Sequence, residues 1–313
     1  ANDNTAIGHE ALGDNTTGHS NTAVGAWALD ANTTANYNDA FGYQALTNNT
    51  TGGSNTAVGA YALNSNTTAG ESTAVGQQAL EENTTGAQNC AFGFRALEQN
   101  TTADHNTALG HEALKLNTTG TSNVAVGANA LDANTTANNN TAVGYNSLSA
   151  NTTAQNNTAI GMNCLDANTT GGENVGVGQA ALGANTTGAQ NTAVGRQSLN
   201  ACTTGDNNTG IGYYSLKSVT TGSWNTGCGE WAGQDVTTGT NNSFLGYQAG
   251  SSSSPSGSIT TASHNVVLGN NNVANLYCAD TSISSSDARD KTDVEDFTYG
   301  LSWINELRPV TYR

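Results

Sequence analysis

His9-Glu10 and His111-Glu112 each set an imidazole beside a carboxylate, the residue types from which a transition-metal site is built. The two pairs occupy one phase of an internal repeat but lie six repeat units apart, so they cannot share an ion. His19, His105 and His264 have no partner at ligand spacing. Asp30, Asp132 and Asp166 share another phase, where hard carboxylate oxygens beside asparagine oxygens could take calcium; solvated surface acids are the simpler reading. No Ser-His-Asp set or carboxylate pair can be defined. No metal and no cofactor are therefore expected.

Two further groups of side chains recur in phase. Asn-Thr-Thr returns at Asn15, Asn32, Asn49, Asn66, Asn83, Asn100, Asn117, Asn134, Asn151, Asn168 and Asn185, and each copy satisfies the Asn-x-Thr acceptor pattern. One reading is a secreted or surface filament with a column of glycans. The other is that Asn and Thr close a turn by bonding local backbone. The most variable positions carry Trp27, Tyr43, Tyr61, Phe94, Tyr145, Tyr213, Tyr214, Trp231 and Tyr247. Variation inside a strict repeat implies exposure, and exposed rings beside polar groups suit the stacking of sugars or a protein partner.

The element that positions all of these is a seventeen-residue unit. A glycine recurs at that interval from Gly8 to Gly246 without insertion or deletion. An unbroken register marks a solenoid, in which each unit is one coil stacked on the next. In the unit NTAVGAYALNSNTTAG, Asn55 to Gly70, two short apolar runs are bounded by Gly or Asn-Thr-Thr, the punctuation of strands. TAVG is expected as one strand and the stretch around AL as a second, both in parallel ladders. At about 4.8 Å per coil the rod is on the order of 70 Å long. The recurring glycine should mark a corner with positive φ or close backbone approach. The asparagine four residues before it, replaced only by Ser72 between Asn4 and Asn242, should form an amide column. Each coil encloses little volume. Either the leucine row, Leu12 through Leu216, or the valine row, Val24 through Leu245, fills the roll, and three chains around an axis could bury the other.

Composition limits the partners. The 313 residues carry a formal charge of −16 with only eight Lys plus Arg. Nucleic acid and anionic membrane both require a basic face, and neither is expected as a partner. No apolar run is long enough for membrane insertion. Cys90, Cys164, Cys202 and Cys228 fall in unrelated phases, so no disulfide ladder is expected.

The repeat, with its N-x-A-[VI]-G strands, resembles the heads of trimeric autotransporter adhesins and the shafts of phage tail fibres. After a Ser-rich stretch from Ser251, the segment Ser286-Asp287-x-Arg289-x-Lys291 followed by GLSWINELRPVTYR from Gly300 resembles the opening of the intramolecular chaperone domain of endosialidases and tail fibres. That resemblance implies a trimerising domain released by self-cleavage between serine and aspartate. By position the cut falls between Ser286 and Asp287, with Ser286 the reactive hydroxyl and Lys291 the base. The carboxylates of Asp287, Asp290 and Asp293 oppose the base role by favouring the charged ammonium.

The expected organisation is a solenoid shaft over 1–250, a Ser-rich linker with transition strands over 251–285, and the start of the chaperone domain over 286–313. The expected fold is all-β, a parallel β-solenoid with a short α-containing C-terminal segment. The expected role is that of a non-enzymatic homotrimeric fibre or adhesin, extracellular on a virion tail or cell surface. Its partners would be itself, other fibre components and a host cell-surface glycan or protein.

Overall fold

The computed structural model of the chain describes residues 2–275. They form an all-β parallel solenoid. Sixteen three-residue strands, from β1 (Thr5–Ile7) and β2 (Thr22–Val24) to β15 (Ser243–Leu245) and β16 (Val266–Leu268), make one sheet in chain order. Pairing is parallel and in register, with Thr5, Ala6 and Ile7 opposite Thr22, Ala23 and Val24. The expected α-containing segment lies outside the described residues.

The sheet is the TAV strand alone. The stretch around AL is not a second strand, and the reason is its backbone. Trp27 and Leu29 sit at φ 59° and 51°, and the corresponding residues of the other coils do the same. The amides still bond between coils, Trp27 N–H to the His9 carbonyl at 2.8 Å and Leu29 N–H to the Ala45 carbonyl at 3.0 Å. Alternate left-handed residues curl the chain and send successive donors to opposite neighbours, where a strand would extend it. Each left-handed residue costs of order 1 kcal/mol. Inter-coil hydrogen bonds and burial of leucine offset that cost.

The leucine row faces inward. Leu29, Leu46 and their successors to Leu216 are fully buried with the alanine on either side of the glycine, such as Ala23 and Ala28. The valine row is therefore the outer one. Phe41 is 42% exposed, Leu109 49%, Ile160 41% and Leu245 56%. An apolar stripe thus runs along the outside of the sheet, one side chain per coil.

Core volume is conserved by paired changes. Where Ser198 or Ser215 replaces the inner alanine, the facing strand residue is Gly210 or Gly227, whose Cβ would lie 2.5 Å from the hydroxyl. Near the C-terminal end Gly233 and Gly250 take leucine positions, and the ring of Phe244 fills the space both vacate. The Ser-rich stretch lies inside a longer last coil. β16 continues the sheet beyond it, and Ser254 Oγ donates to the Gly269 carbonyl at 3.1 Å.

Two asparagine columns lie inside the roll. In the strand-side column the Asn21 Oδ1 accepts the Asn38 backbone N–H at 3.0 Å, while Asn38 Nδ2 donates to the Gly52 carbonyl at 2.9 Å. The regular amide-to-amide ladder is the other column, the first residue of Asn-Thr-Thr. Asn117 Nδ2 donates to Asn100 Oδ1 at 3.0 Å and to the Gly120 carbonyl at 2.9 Å, and its Oδ1 accepts from Asn134 at 2.8 Å. The ladder stops where Cys202, Val219 and Val236 take the position, leaving Asn185 Oδ1 buried without a partner.

Candidate functional site

The variable residues follow the corner glycine, so the strand and its tight turn hold them at one edge of the sheet. The first residue after glycine and the left-handed second one both project from this edge. Rings from neighbouring coils therefore meet. His9, Trp27, Tyr43 and Tyr61 form a four-ring ladder with successive centroids 5.4 Å apart, all edge to face. Trp27 Nε1 donates to Glu10 Oε2 at 2.9 Å, so the charged residue beside the ladder orients the indole.

A second cluster carries positive charge. Tyr213 and Tyr214 have centroids 4.0 Å apart, Tyr214 and Trp231 6.3 Å. The Arg196 guanidinium lies 5.6 Å from the Tyr213 centroid and Lys217 Nζ 4.2 Å from that of Tyr214. Between the clusters, Phe94 and His111 are 5.3 Å apart with Arg95 over Phe94. Tyr145 and Tyr247 stand apart and exposed. Sequence reasoning identified the rings but not their grouping. The signal was present: coil neighbours differ by seventeen in number, and side chains one residue out of phase also touch, as Tyr43 touches both Trp27 and Tyr61.

Such an edge can bind flat or hydrogen-bonding partners through ring faces, phenol hydroxyls and a few cations. It contains no group of acids, imidazoles and thiols able to hold a metal among the described residues. His9-Glu10 and His111-Glu112 remain far apart along the sheet. Cys164 and Cys202 are buried, and desolvation pushes their thiols up to about 12 and about 11, which keeps them protonated and inert.

The Asn-Thr-Thr asparagines sit inside the roll. From Asn32 to Asn185 all are fully buried, so the folded coil has no room for a glycan on them. Their threonines bond between coils instead, as Thr67 Oγ1 does to the Thr84 carbonyl at 3.0 Å.

Asp132 and Asp166 have their carboxyls raised above the usual range by burial, and Asp132 Oδ1 has no hydrogen-bond partner. In the same coil position Asn64 Nδ2 donates to the Gln44 carbonyl at 3.1 Å and Asn200 Nδ2 to the Ala180 carbonyl at 2.9 Å. Asp132→Asn should gain the equivalent bond to the Glu112 carbonyl and stabilise the fold by about 1 kcal/mol at neutral pH. The folded pKa of Asp132 is raised, so its ionisation penalises the fold above that pKa and disappears below the unfolded value. Thermal melts should show the variant's advantage at pH 7 and its shrinkage below about pH 4.

Among the described residues no helix is long and apolar enough to cross a membrane. Ser286, Asp287 and Lys291 lie outside them. Residues 286–313 match the family model described as chaperone of endosialidase. No curated protein matches the chain. In chain order, the solenoid thus precedes a terminal segment similar to the chaperone of endosialidase.

Proposed function

We propose that the chain is part of a homotrimeric fibre of the phage tail-fibre type, which projects from a particle or cell and contacts a host surface. The observation that carries this reading is the order of its parts, a stiff solenoid followed by the endosialidase chaperone match at 286–313. The outer valine row supports it. One apolar side chain per coil, half exposed over the whole sheet, is a stripe that three copies can turn toward a common axis and remove from water. The aromatic edge then contacts the receptor, a glycan or a protein. The chaperone segment is released once by cleavage between Ser286 and Asp287, with Ser286 as the reacting hydroxyl and Lys291 assisting.

The test is native mass spectrometry and sedimentation of the whole protein. The expected result is a trimer, and a monomer in Val143→Asp/Ile160→Asp with unchanged far-UV circular dichroism. Both residues stand at the centre of the stripe. A monomeric parent overturns the fibre reading, and a trimeric double variant overturns the role of the stripe. Ser286→Ala should keep the uncut mass.

A further inference from the structure

A groove crosses the corner that precedes the strands, over the coils carrying Gly53, Gly70 and Ala87. It has a volume of about 550 Å³ and is lined by Gly53, Ser54, Gly70, Glu71, Ala87 and Gln88. That volume lies within the range of small-molecule sites.

These coils share with several others the lack of a side-chain oxygen, and combine it with two successive glycines and an open groove. Six residues before the corner glycine, six of the described coils carry a side chain whose oxygen accepts the backbone N–H of the same position one coil earlier. Asn36 Oδ1 accepts from His19 at 2.8 Å, Asp104 Oδ1 from Ala87 at 2.7 Å and Asn138 Oδ1 from Thr121 at 2.6 Å. Asp206 and Ser223 repeat the bond at 2.7 and 3.0 Å. Gly53, Gly70 and Ala87 have no such oxygen. The N–H groups of Asn36, Gly53 and Gly70 accordingly have no hydrogen-bond partner among the described residues. Three donors at successive levels, about 4.8 Å apart, are left beside an open groove. An unpaired backbone donor is costly unless water or a ligand satisfies it.

We infer that this groove binds a neutral, hydroxyl-rich saccharide whose oxygens replace the missing side-chain acceptors. The chemistry selects the class. The glycine floor admits close approach of a ring. Beside the donors stands the Glu71 carboxylate, held by Gln88 Nε2 at 2.8 Å and offering further acceptor capacity. A hydroxyl satisfies both, since it accepts from an amide and donates to a carboxylate. An anionic ligand meets Glu71 and a chain of formal charge −16, and is disfavoured. The arrangement recurs in part six coils later. Gly172-Glu173 is followed by Ala189-Gln190, Gln190 Nε2 donates to Glu173 Oε2 at 3.0 Å, and Gln155 stands where the first site has Gly53. The later copy is thus narrowed by one side chain.

This inference rests on the fibre reading for its biological setting, as a glycan contact on a different corner from the aromatic edge. The test is calorimetric titration of the whole chain with gluco-, manno-, galacto- and N-acetylglucosamine-configured neutral hexasaccharides, with hexagalacturonate as the anionic probe. At least one neutral hexasaccharide should bind, and Gly53→Asn should weaken it at least about tenfold without lowering the melting temperature. That asparagine restores the side chain that Asn36 supplies one coil earlier. Gly53 lies outside the left-handed region, and its added Cβ would stand 3.1 Å from the Asn36 carbonyl. Glu71→Gln is the second variant and should also weaken binding. Absence of neutral binding, equal binding by both variants, or binding of hexagalacturonate alone overturns the inference. Sedimentation of the same samples separates the two readings. A trimer that binds no saccharide removes the groove and leaves the fibre, while a monomer that binds does the reverse.

Discussion

Gly144→Val is expected to destabilise the solenoid by about 4 kcal/mol and to open the coils beside it. Gly144 sits at φ +134°, a conformation that side chains of L-residues rarely adopt, at a cost of about 1–3 kcal/mol. A Cβ there would lie 2.6 Å from both the carbonyl carbon and the oxygen of Gly161. The obstacle is backbone of the next coil, which is itself tied into the sheet, so it cannot turn aside as a flexible side chain would. Overpacking adds about 1–3 kcal/mol. Since each coil touches only its neighbours, the damage should stay local. Urea melts would read the loss, and hydrogen exchange would place it in the coils around Gly144 while β1 and β2 keep their protection. A variant with wild-type stability would show that the corner tolerates a side chain.

Asn117→Asp, a change of nearly no volume, should cost about 3–5 kcal/mol at neutral pH. Asn117 donates from Nδ2 to Asn100 Oδ1 and to the Gly120 carbonyl in a fully buried position. The carboxylate keeps the acceptor used by Asn134 but turns two hydrogen bonds into oxygen–oxygen contacts and buries a charge. Burial raises the folded pKa of the new acid above its unfolded value. The penalty is therefore full above the folded pKa and fades as pH falls toward the unfolded one, where the protonated group can donate again. Melting temperatures across pH 3–8 should converge on the parent at the acid end. A pH-independent deficit would assign the loss to packing instead of charge.

Both results turn on features that differ in how far they could be read from the chain. The period, the strand at Thr-Ala-Val, the parallel register and the corner at glycine follow from spacing, because a coil of constant length leaves each residue only its counterparts as neighbours. In the Asn-Thr-Thr turns the asparagine bonds the carbonyl three residues on and the first threonine bonds the next coil. The spacing alone points to an amide ladder in the strand-side column, whereas the most regular one runs at Asn32 through Asn185.

The residues by themselves determined the repeat, its direction of stacking and the resemblance of the terminal segment to a chaperone. Periodicity sets the register along the solenoid and says nothing about rotation around it. Leucine and valine rows repeat with the same interval, so only closure of the coil decides that leucine lies inside and valine out. Closure depends on left-handed backbone at residues such as Trp27 and Leu29, whose side chains carry no mark of that conformation. The groove at Gly53 and Gly70 is the same kind of fact. A side-chain oxygen matters there only because stacking aims the amide of the preceding coil at its position.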